Sequence, residues 1–231
     1  MDTTRKKALL ALCLLVPAPT FGVVMSMIFP QTRGTALGQG IYMLCKVWLL
    51  ALPLIWLKWV DRRPISFSPL QNGGMGMGLL SGIVIFAGIY GAWLLFGQAL
   101  IEPQSLKEQV AANGIGTPVR YLLLAGYLTI INALLEEYVW RWFVFKKFEE
   151  LTGGAFAVLG SALCFTLHHV VALKAQMGWN ITILGSLGVC VGGLTWSWLY
   201  HRYRSIWPGY LSHVLADAAI FLAGWQILFT N

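Results

Sequence analysis

Residues 74–100 read GMGMGLLSGIVIFAGIYGAWLLFGQAL, a run without a charged side chain. About 20 consecutive apolar residues are enough for an α-helix to cross the hydrocarbon core of a bilayer. Six further stretches are also long and apolar enough: residues 9–29, 41–60, 119–145, 155–173, 180–200 and 206–229. The chain is therefore predicted to cross a membrane seven times.

The composition of the whole chain agrees with this prediction. Hydrophobic residues make up 58% of the 231 residues, charged residues make up 11%, and the mean hydropathy is +0.69. Strands of a membrane barrel would alternate apolar and polar residues, whereas these runs are apolar throughout. The predicted fold is an all-α, polytopic transmembrane bundle of about seven spans or eight helices, forming one domain over residues 1–231.

The basic residues predict the orientation of the chain, because short cytoplasmic loops carry the excess of Lys and Arg. If the spans alternate, ten basic residues fall on one side: Arg5, Lys6, Lys7, Lys58, Arg62, Arg63, Lys146, Lys147, Arg202 and Arg204. The N-terminus is then cytoplasmic and the C-terminus is outside. The short chain and its compact loops favour a bacterial plasma membrane. The net charge of +7 reflects this topology and does not indicate nucleic-acid binding.

The first stretch allows a second interpretation. Arg5, Lys6 and Lys7 precede a short apolar run and a Pro-Ala-Pro sequence at residues 17–19, a pattern also found in secretory signal peptides. The apolar character continues to Phe29, which favours a first membrane span that is kinked at its prolines.

Two connecting segments are longer than the others. Residues 61–74 mix basic and apolar side chains, so this segment either lies along the cytoplasmic surface or forms an ordinary loop. Residues 101–117 begin with a turn at Pro103 and end at Gly114 and Gly116. This second segment either connects two spans, covers the opposite face or gates lateral entry.

Ionisable residues inside the spans are the candidates for function, because a charge at mid-membrane depth costs several kcal/mol. They are Glu136, Glu137, Arg141, His168, His169, His213 and Asp217. Residues four apart are neighbours on a helix, so Glu137 and Arg141 are expected to pair. Glu136 then points about 100° away. The two carboxylates are thus expected in different environments, an arrangement by which acid and base roles are assigned.

The same spacing of four recurs in the fifth and seventh spans. Phe165 and His169 are separated in this way, and so are His213 and Asp217. A carboxylate beside a His ring commonly orients the ring in hydrolase sites. Groups on three helices are therefore predicted to converge on one water-sized site in the cytoplasmic half of the membrane. His168 is expected to hydrogen-bond locally and to take no part in catalysis.

These three patterns resemble those of the CAAX protease and bacteriocin-processing enzyme family, the glutamate-type intramembrane endopeptidases related to the type II CAAX prenyl protease. The family's motifs are Glu-Glu-x-x-x-Arg, Phe-x-x-x-His and His-x-x-x-Asn or Asp. This chain has all three, in order and on separate spans. The resemblance covers residues 119–229, and the first three spans are similar to the family only in being membrane helices.

The resemblance implies an intramembrane endopeptidase with four catalytic residues: Glu136, His169, His213 and Asp217. It implies three supporting residues: Glu137, Arg141 and Phe165. Its partners would be the lipid bilayer and a membrane-associated protein or peptide, such as a CAAX-type C-terminus or a leader peptide.

The resemblance also implies a role for each catalytic group. Glu136 and His169 would activate the attacking water, and His213 with Asp217 would stabilise the oxyanion. The family position of Asp217 is commonly Asn, whose amide donates a hydrogen bond that an ionised carboxylate cannot. Asp217 is then either protonated, or it orients His213 and leaves the imidazole as the donor. We favour the second alternative.

Other functions remain open for the same residues. Glu, His and Asp side chains can bind zinc, which would also activate a bound water. The His-Glu-x-x-His pattern is absent from the sequence and the four cysteines show no paired spacing, so no cofactor is predicted and zinc is the alternative. A proton-coupled transporter would usually show repeated halves, which the sequence lacks. A non-catalytic membrane scaffold or a bacteriocin-immunity factor of the same fold is the main alternative to a peptidase.

Overall fold

The computed structural model describes residues 2–66 and 68–230, so Phe67 in the connector 61–74 lies outside the described part. Within that part the chain forms helices and no strand. The helices are α1 (Thr3–Ile28), α2 (Ala36–Asp61), α3 (Met75–Leu100), α4 (Pro103–Ala112), α5 (Pro118–Thr152), α6 (Gly154–Lys174), α7 (Trp179–Tyr203) and α8 (Trp207–Thr230). All except α4 are long and apolar enough to span a membrane. The predicted all-α fold with seven spans is confirmed, and the protein is an integral, multi-pass membrane protein.

The connector 101–117 contains the short helix α4. Pro103 lies in its first turn, where a missing backbone N–H breaks no intrahelical hydrogen bond. The Gln109 side chain donates a hydrogen bond of 3.2 Å to the carbonyl of Gln176, between α6 and α7. This segment is therefore helical, and it packs against the loop that joins α6 to α7.

The ends of four helices meet where the basic residues cluster. Lys147 of α5 pairs with Asp61 of α2 at 2.6 Å. Arg204, which follows α7, pairs with Glu149 of α5 at 2.8 Å. Lys7 of α1 donates a hydrogen bond of 3.3 Å to a carbonyl near the end of α2. These basic residues therefore share one end of the bundle, as expected, and their cytoplasmic location stays a prediction.

Helix α8 begins inside the bundle, beneath the connector 61–74. Ser205, just before α8, is fully buried, and its hydroxyl donates to the carbonyl of Ser68 at 2.8 Å. The Ser68 hydroxyl accepts a hydrogen bond from the Ile206 amide at 3.0 Å. Asn72 donates to the carbonyl of Tyr203 at 3.3 Å. The connector 61–74 is thus a loop that covers the start of α8, so the first turn of this helix already lies inside the protein.

Small residues allow α3 and α8 to approach closely. A Cβ atom on Gly82 would lie 2.9 Å from the Cα atom of Ser212, and the Ser81 hydroxyl donates to the Ser212 hydroxyl at 3.1 Å. Small residues at such contacts are a common means of packing helices in membranes. This contact brings α3 against Ser212 of α8, the residue that immediately precedes the candidate residue His213.

Helix α5 is wider on both sides of its central turn. Tyr127–Asn132 and Tyr138–Phe145 form π-helical turns, whereas Ala133–Glu137 between them is α-helical. Such turns are rare and often occur at functional sites. The helix continues to Thr152, beyond the end at residue 145 that the apolar run predicted.

Candidate active site

Glu137 and Arg141 form a buried ion pair inside α5. The distance between Glu137 Oε1 and Arg141 Nη1 is 3.1 Å, and neither side chain is exposed. The guanidinium lies over the rings of Phe165 and Trp196, 4.6 and 5.0 Å from their centroids. The expected pair is thus present. Two aromatic faces cover the Arg141 guanidinium, which within the described residues forms an ion pair with Glu137 alone.

His213 of α8 faces three carboxylates. Its Nδ1 atom lies 3.1 Å from Glu137 Oε1, and because an ionised carboxylate can only accept, Nδ1 donates. Its Nε2 atom lies 3.7 Å from Glu136 Oε2 and 3.8 Å from Asp217 Oδ2, which is longer than a hydrogen bond. Asp217 therefore lies beside His213 as expected, but Glu137 supplies the hydrogen bond that orients the ring.

Trp196 of α7 covers one face of the same imidazole. The two rings are within 15° of parallel, and their centroids are 3.8 Å apart. The indole N–H donates to the hydroxyl of Ser212 at 3.1 Å. With Glu137 at its edge and Trp196 on its face, the His213 ring is held in both position and orientation.

Glu136 is the more open of the two neighbouring carboxylates. Its side chain is 15% exposed, whereas that of Glu137 is fully buried. The amide of Asn132, one turn earlier in α5, donates to Glu136 Oε1 at 2.9 Å. Glu136 Oε2 has the 3.7 Å approach to His213 described above. The two carboxylates thus occupy different environments, because Glu137 is paired with Arg141 and Glu136 is partly exposed.

His169 of α6 has one ring nitrogen bound and one available. Its Nδ1 atom lies 2.9 Å from the carbonyl oxygen of Phe165, and since a carbonyl can only accept, Nδ1 carries the proton. The Nε2 atom of a neutral ring is then a proton acceptor. The centroid of this ring lies 4.3 Å from that of the buried Phe165 ring, and the Phe165 centroid lies 6.3 Å from that of His213. Phe165 therefore packs against both histidines.

Gly209 permits the close approach of α8 to α5. A Cβ atom at this position would lie 2.7 Å from Oε2 of Glu137, closer than real Cβ contacts. Any larger residue would therefore displace the carboxylate that orients His213. Glycine is required at position 209 because there is no space for a side chain. Its backbone has ordinary α-helical dihedral angles, so conformational freedom is not the reason.

The sequence patterns did not select Asn132, Trp196 or Gly209. Asn132 lies four residues before Glu136, so the spacing that identified the ion pair could have identified it too. Trp196 and Gly209 carry no such signal, because their contacts depend on how α7 and α8 pack against α5.

Lys46 is a further charged residue that lies inside a span and was not predicted. It is in the middle of α2, partly buried, and its ammonium lies 5.6 Å from the centroid of the Tyr42 ring. It is close enough to Glu136 and His168 to interact electrostatically with both. The rule that charges inside spans are functional candidates applies to this residue as it does to the others.

A metal site was the alternative for the same side chains. The described residues include no group of three or more His, Cys, Asp or Glu side chains placed to hold one ion.

A protein-family model described as "Rce1-like: Type II CAAX prenyl endopeptidase Rce1-like" matches residues 118–219. This region contains all seven residues that the motifs singled out, from Glu136 to Asp217. Searches among curated proteins and among solved structures gave no match. The resemblance predicted from the three motifs is confirmed, because residues 118–219 match the model of the Rce1-like family of type II CAAX prenyl endopeptidases.

Proposed function

We propose that this protein is a glutamate-type intramembrane endopeptidase that hydrolyses a peptide bond in a membrane-associated protein or peptide. The observation that carries the proposal is the pair of neighbouring carboxylates with different partners. Glu137 is tied to Arg141 and His213, whereas Glu136 is partly exposed and has hydrogen-bonding capacity left. A site that needs one positioning carboxylate and one base would have this arrangement.

The proposed reaction begins with a water held between Glu136 and Nε2 of His169. Glu136 takes a proton from this water as the oxygen attacks the scissile carbonyl, a step for which a positioned base contributes about 10²- to 10⁴-fold in rate. The C–N bond then breaks, and the proton passes from Glu136 to the leaving amine. The products are a new carboxyl group and a new amine, and no oxidant or further reactant is consumed.

His213 is proposed to stabilise the tetrahedral oxyanion. In its imidazolium form Nδ1–H donates to Glu137 while Nε2–H faces the space bordered by Glu136 and Asp217. A donor aimed at a developing oxyanion contributes about 10²- to 10³-fold. The stack with Trp196 keeps the ring aimed at this space, so no reorganisation is needed during the reaction.

The test is peptidase activity of the purified protein against a pool of membrane proteins, with cleavage sites read by mass spectrometry. Wild type, Glu136→Gln, His169→Ala and a chelator-treated sample are compared. Glu102→Gln is the matched control, because Glu102 is exposed and lies outside the spans. We expect both active-site substitutions to abolish cleavage, and the chelator and Glu102→Gln to leave it intact.

Other results would assign another function. Loss of activity on chelation that returns with zinc would replace the glutamate mechanism by a metal mechanism. Equal cleavage by wild type and Glu136→Gln would contradict the proposed role of Glu136, and absence of cleavage by both proteins would leave the non-catalytic scaffold. Proton-coupled uptake of a solute into vesicles, lost in Glu136→Gln, would indicate a transporter.

A further inference from the structure

Lys46 lies at a depth where a lysine cannot reach water along its own helix. It is roughly 10 residues from the Ala36 end of α2 and roughly 15 from the Asp61 end, or about 15 and 22 Å at the α-helical rise. Lysines close to helix ends extend toward the interface, but these distances exceed the length of the side chain. A charge at this depth is expensive, so it is retained where it meets another polar group.

The Lys46 side chain lies on the inward face of α2. Met43, Leu44 and Val47 beside it are exposed, with 59 to 69% of their surface free, whereas Lys46 itself is partly buried. One turn further along the same face, the Leu50 carbonyl accepts a hydrogen bond of 3.0 Å from Tyr138 of α5. Lys46 therefore faces α5 and the active site, while its neighbours face the lipid.

Its depth matches that of the active site. Glu136 lies roughly 16 residues from the Thr152 end of α5, and His168 roughly 14 residues from the Gly154 end of α6. These ends lie at the same end of the bundle as Asp61, because Lys147 beside them pairs with Asp61. The ammonium, the carboxylate and the imidazole are thus at one level, in agreement with the electrostatic interactions of Lys46 with Glu136 and His168.

The two cations near the site differ in their partners. Arg141 has Glu137 at 3.1 Å. Among the described residues, no carboxylate lies within 4.0 Å of the Lys46 ammonium, which lies 5.6 Å from the centroid of the Tyr42 ring. Glu136 is near but not paired with it. The Lys46 ammonium is therefore a positive charge near Glu136 that no carboxylate of the described residues neutralises by direct contact.

We propose that Lys46 forms a subsite that binds a carboxylate of the substrate beside the scissile bond. This subsite rests on the proposed peptidase function, and it lies outside residues 118–219. A lipid phosphate is the wrong ligand, because phosphates lie outside a hydrocarbon core about 30 Å thick while Lys46 lies near its middle. In a peptide the available anions are the free C-terminus and the side chains of Asp and Glu.

The test measures peptide binding to the Glu136→Gln protein in detergent by fluorescence anisotropy. Three labelled apolar peptides of one sequence are compared: the free acid, the C-terminal amide, and the amide carrying one internal Glu. We expect at least one anionic peptide to bind roughly tenfold tighter than the neutral amide, as for a hydrogen bond to a charged group. Preference for the free acid alone identifies the C-terminus, and preference for the internal Glu identifies a side chain.

Substitutions then assign the preference to Lys46. Lys46→Met is expected to reduce anionic binding to the level of the neutral amide, and Lys46→Arg to keep most of the preference. Lys58→Met is the matched control, because Lys58 is on the same helix but exposed and near its end. Equal or undetectable binding of all three peptides, or a preference that survives Lys46→Met, would overturn the subsite.

Turnover by proteins that retain Glu136 separates this subsite from a direct effect on the catalytic carboxylate. If Lys46 binds substrate, Lys46→Met lowers kcat/KM for the anionic peptide about tenfold more than it lowers kcat/KM for the neutral amide, and the difference lies in KM. An equal fall in kcat/KM for both peptides would overturn the proposal. Because anisotropy needs no cleavage, the subsite is tested even if the wild-type protein hydrolyses none of the peptides and the proposed function fails.

Discussion

Oε1 of Glu137 accepts a hydrogen bond from Nδ1 of His213 at 3.1 Å, and this contact joins α5 to α8 inside the protein. The same oxygen lies 3.1 Å from Arg141. One buried carboxylate therefore neutralises a cation and orients an imidazole at once. In the proposed mechanism Glu137 positions these two groups, and its more exposed neighbour Glu136 acts as the base.

Glu137→Gln is expected to destabilise the protein strongly. It leaves the fully buried Arg141 without its carboxylate, and removal of one partner from a buried ion pair costs about 3–5 kcal/mol. Thermal unfolding in detergent, followed by Trp fluorescence, measures the loss. Glu136→Gln is the comparison, because it changes the adjacent carboxyl outside the ion pair and should shift the midpoint little. Equal midpoints for the two variants would contradict the role given to Glu137.

Gly209→Ala is expected to lower activity more than stability. Its Cβ would lie 2.7 Å from Glu137 Oε2, so the carboxylate must shift and the hydrogen bond to His213 must lengthen. A displacement of about 1 Å can cost 10²-fold in rate. Gly188→Ala is the control, since that glycine lies in the span α7 with open space where the Cβ would be.

The two glycine variants should therefore differ in kcat. We expect kcat to fall at least tenfold in Gly209→Ala and to be unchanged in Gly188→Ala, which gains up to about 1 kcal/mol of helix stability. Unchanged kcat in Gly209→Ala would mean that the position of the Glu137 carboxylate does not limit the reaction.

Asn132→Leu tests the hydrogen bond to the proposed base. The amide donates to Glu136 Oε1 at 2.9 Å, and Leu is similar in size but has no donor. Without it the carboxylate can rotate, so we expect kcat to fall about tenfold with little change in thermal midpoint. Asn180→Leu, at an exposed position at the start of α7, should be neutral in both measurements. A loss of activity that follows the loss of folded protein would contradict this explanation.

The spans and the ion pair could be predicted from sequence because both depend on local patterns. An apolar run indicates a span wherever it packs, and the pairing of Glu137 with Arg141 needs only the geometry of one helix. Lys46 was equally accessible to this reasoning, since it interrupts an apolar run as Glu136 does.

The contacts between spans could not be predicted in the same way. Glu137 and His213 are far apart in the chain, and their hydrogen bond depends on the rotation of α8 against α5. That rotation depends on the close contact of Gly82 with Ser212. The start of α8 is also covered by Ser68 of the connector 61–74, a contact between distant parts of the chain that no local pattern indicates.

Asp217→Asn addresses the position at which this chain has a carboxylate and the family commonly has Asn. Asp217 Oδ2 lies 3.8 Å from Nε2 of His213, too far for the hydrogen bond that would orient the ring, and Glu137 already makes that bond. The Asp217 carboxylate is therefore dispensable for orienting the His213 ring, and an amide there would add a hydrogen-bond donor beside the proposed oxyanion.

We expect kcat of Asp217→Asn to equal or exceed that of wild type. We expect Asp217→Leu, which removes both polar atoms, to lower kcat about tenfold. Steady-state cleavage of one peptide by all three proteins, with thermal midpoints as a check on folding, decides the question. If Asp217→Asn were as inactive as Glu136→Gln, the carboxylate itself would be needed, and Asp217 would have to carry a proton during the reaction.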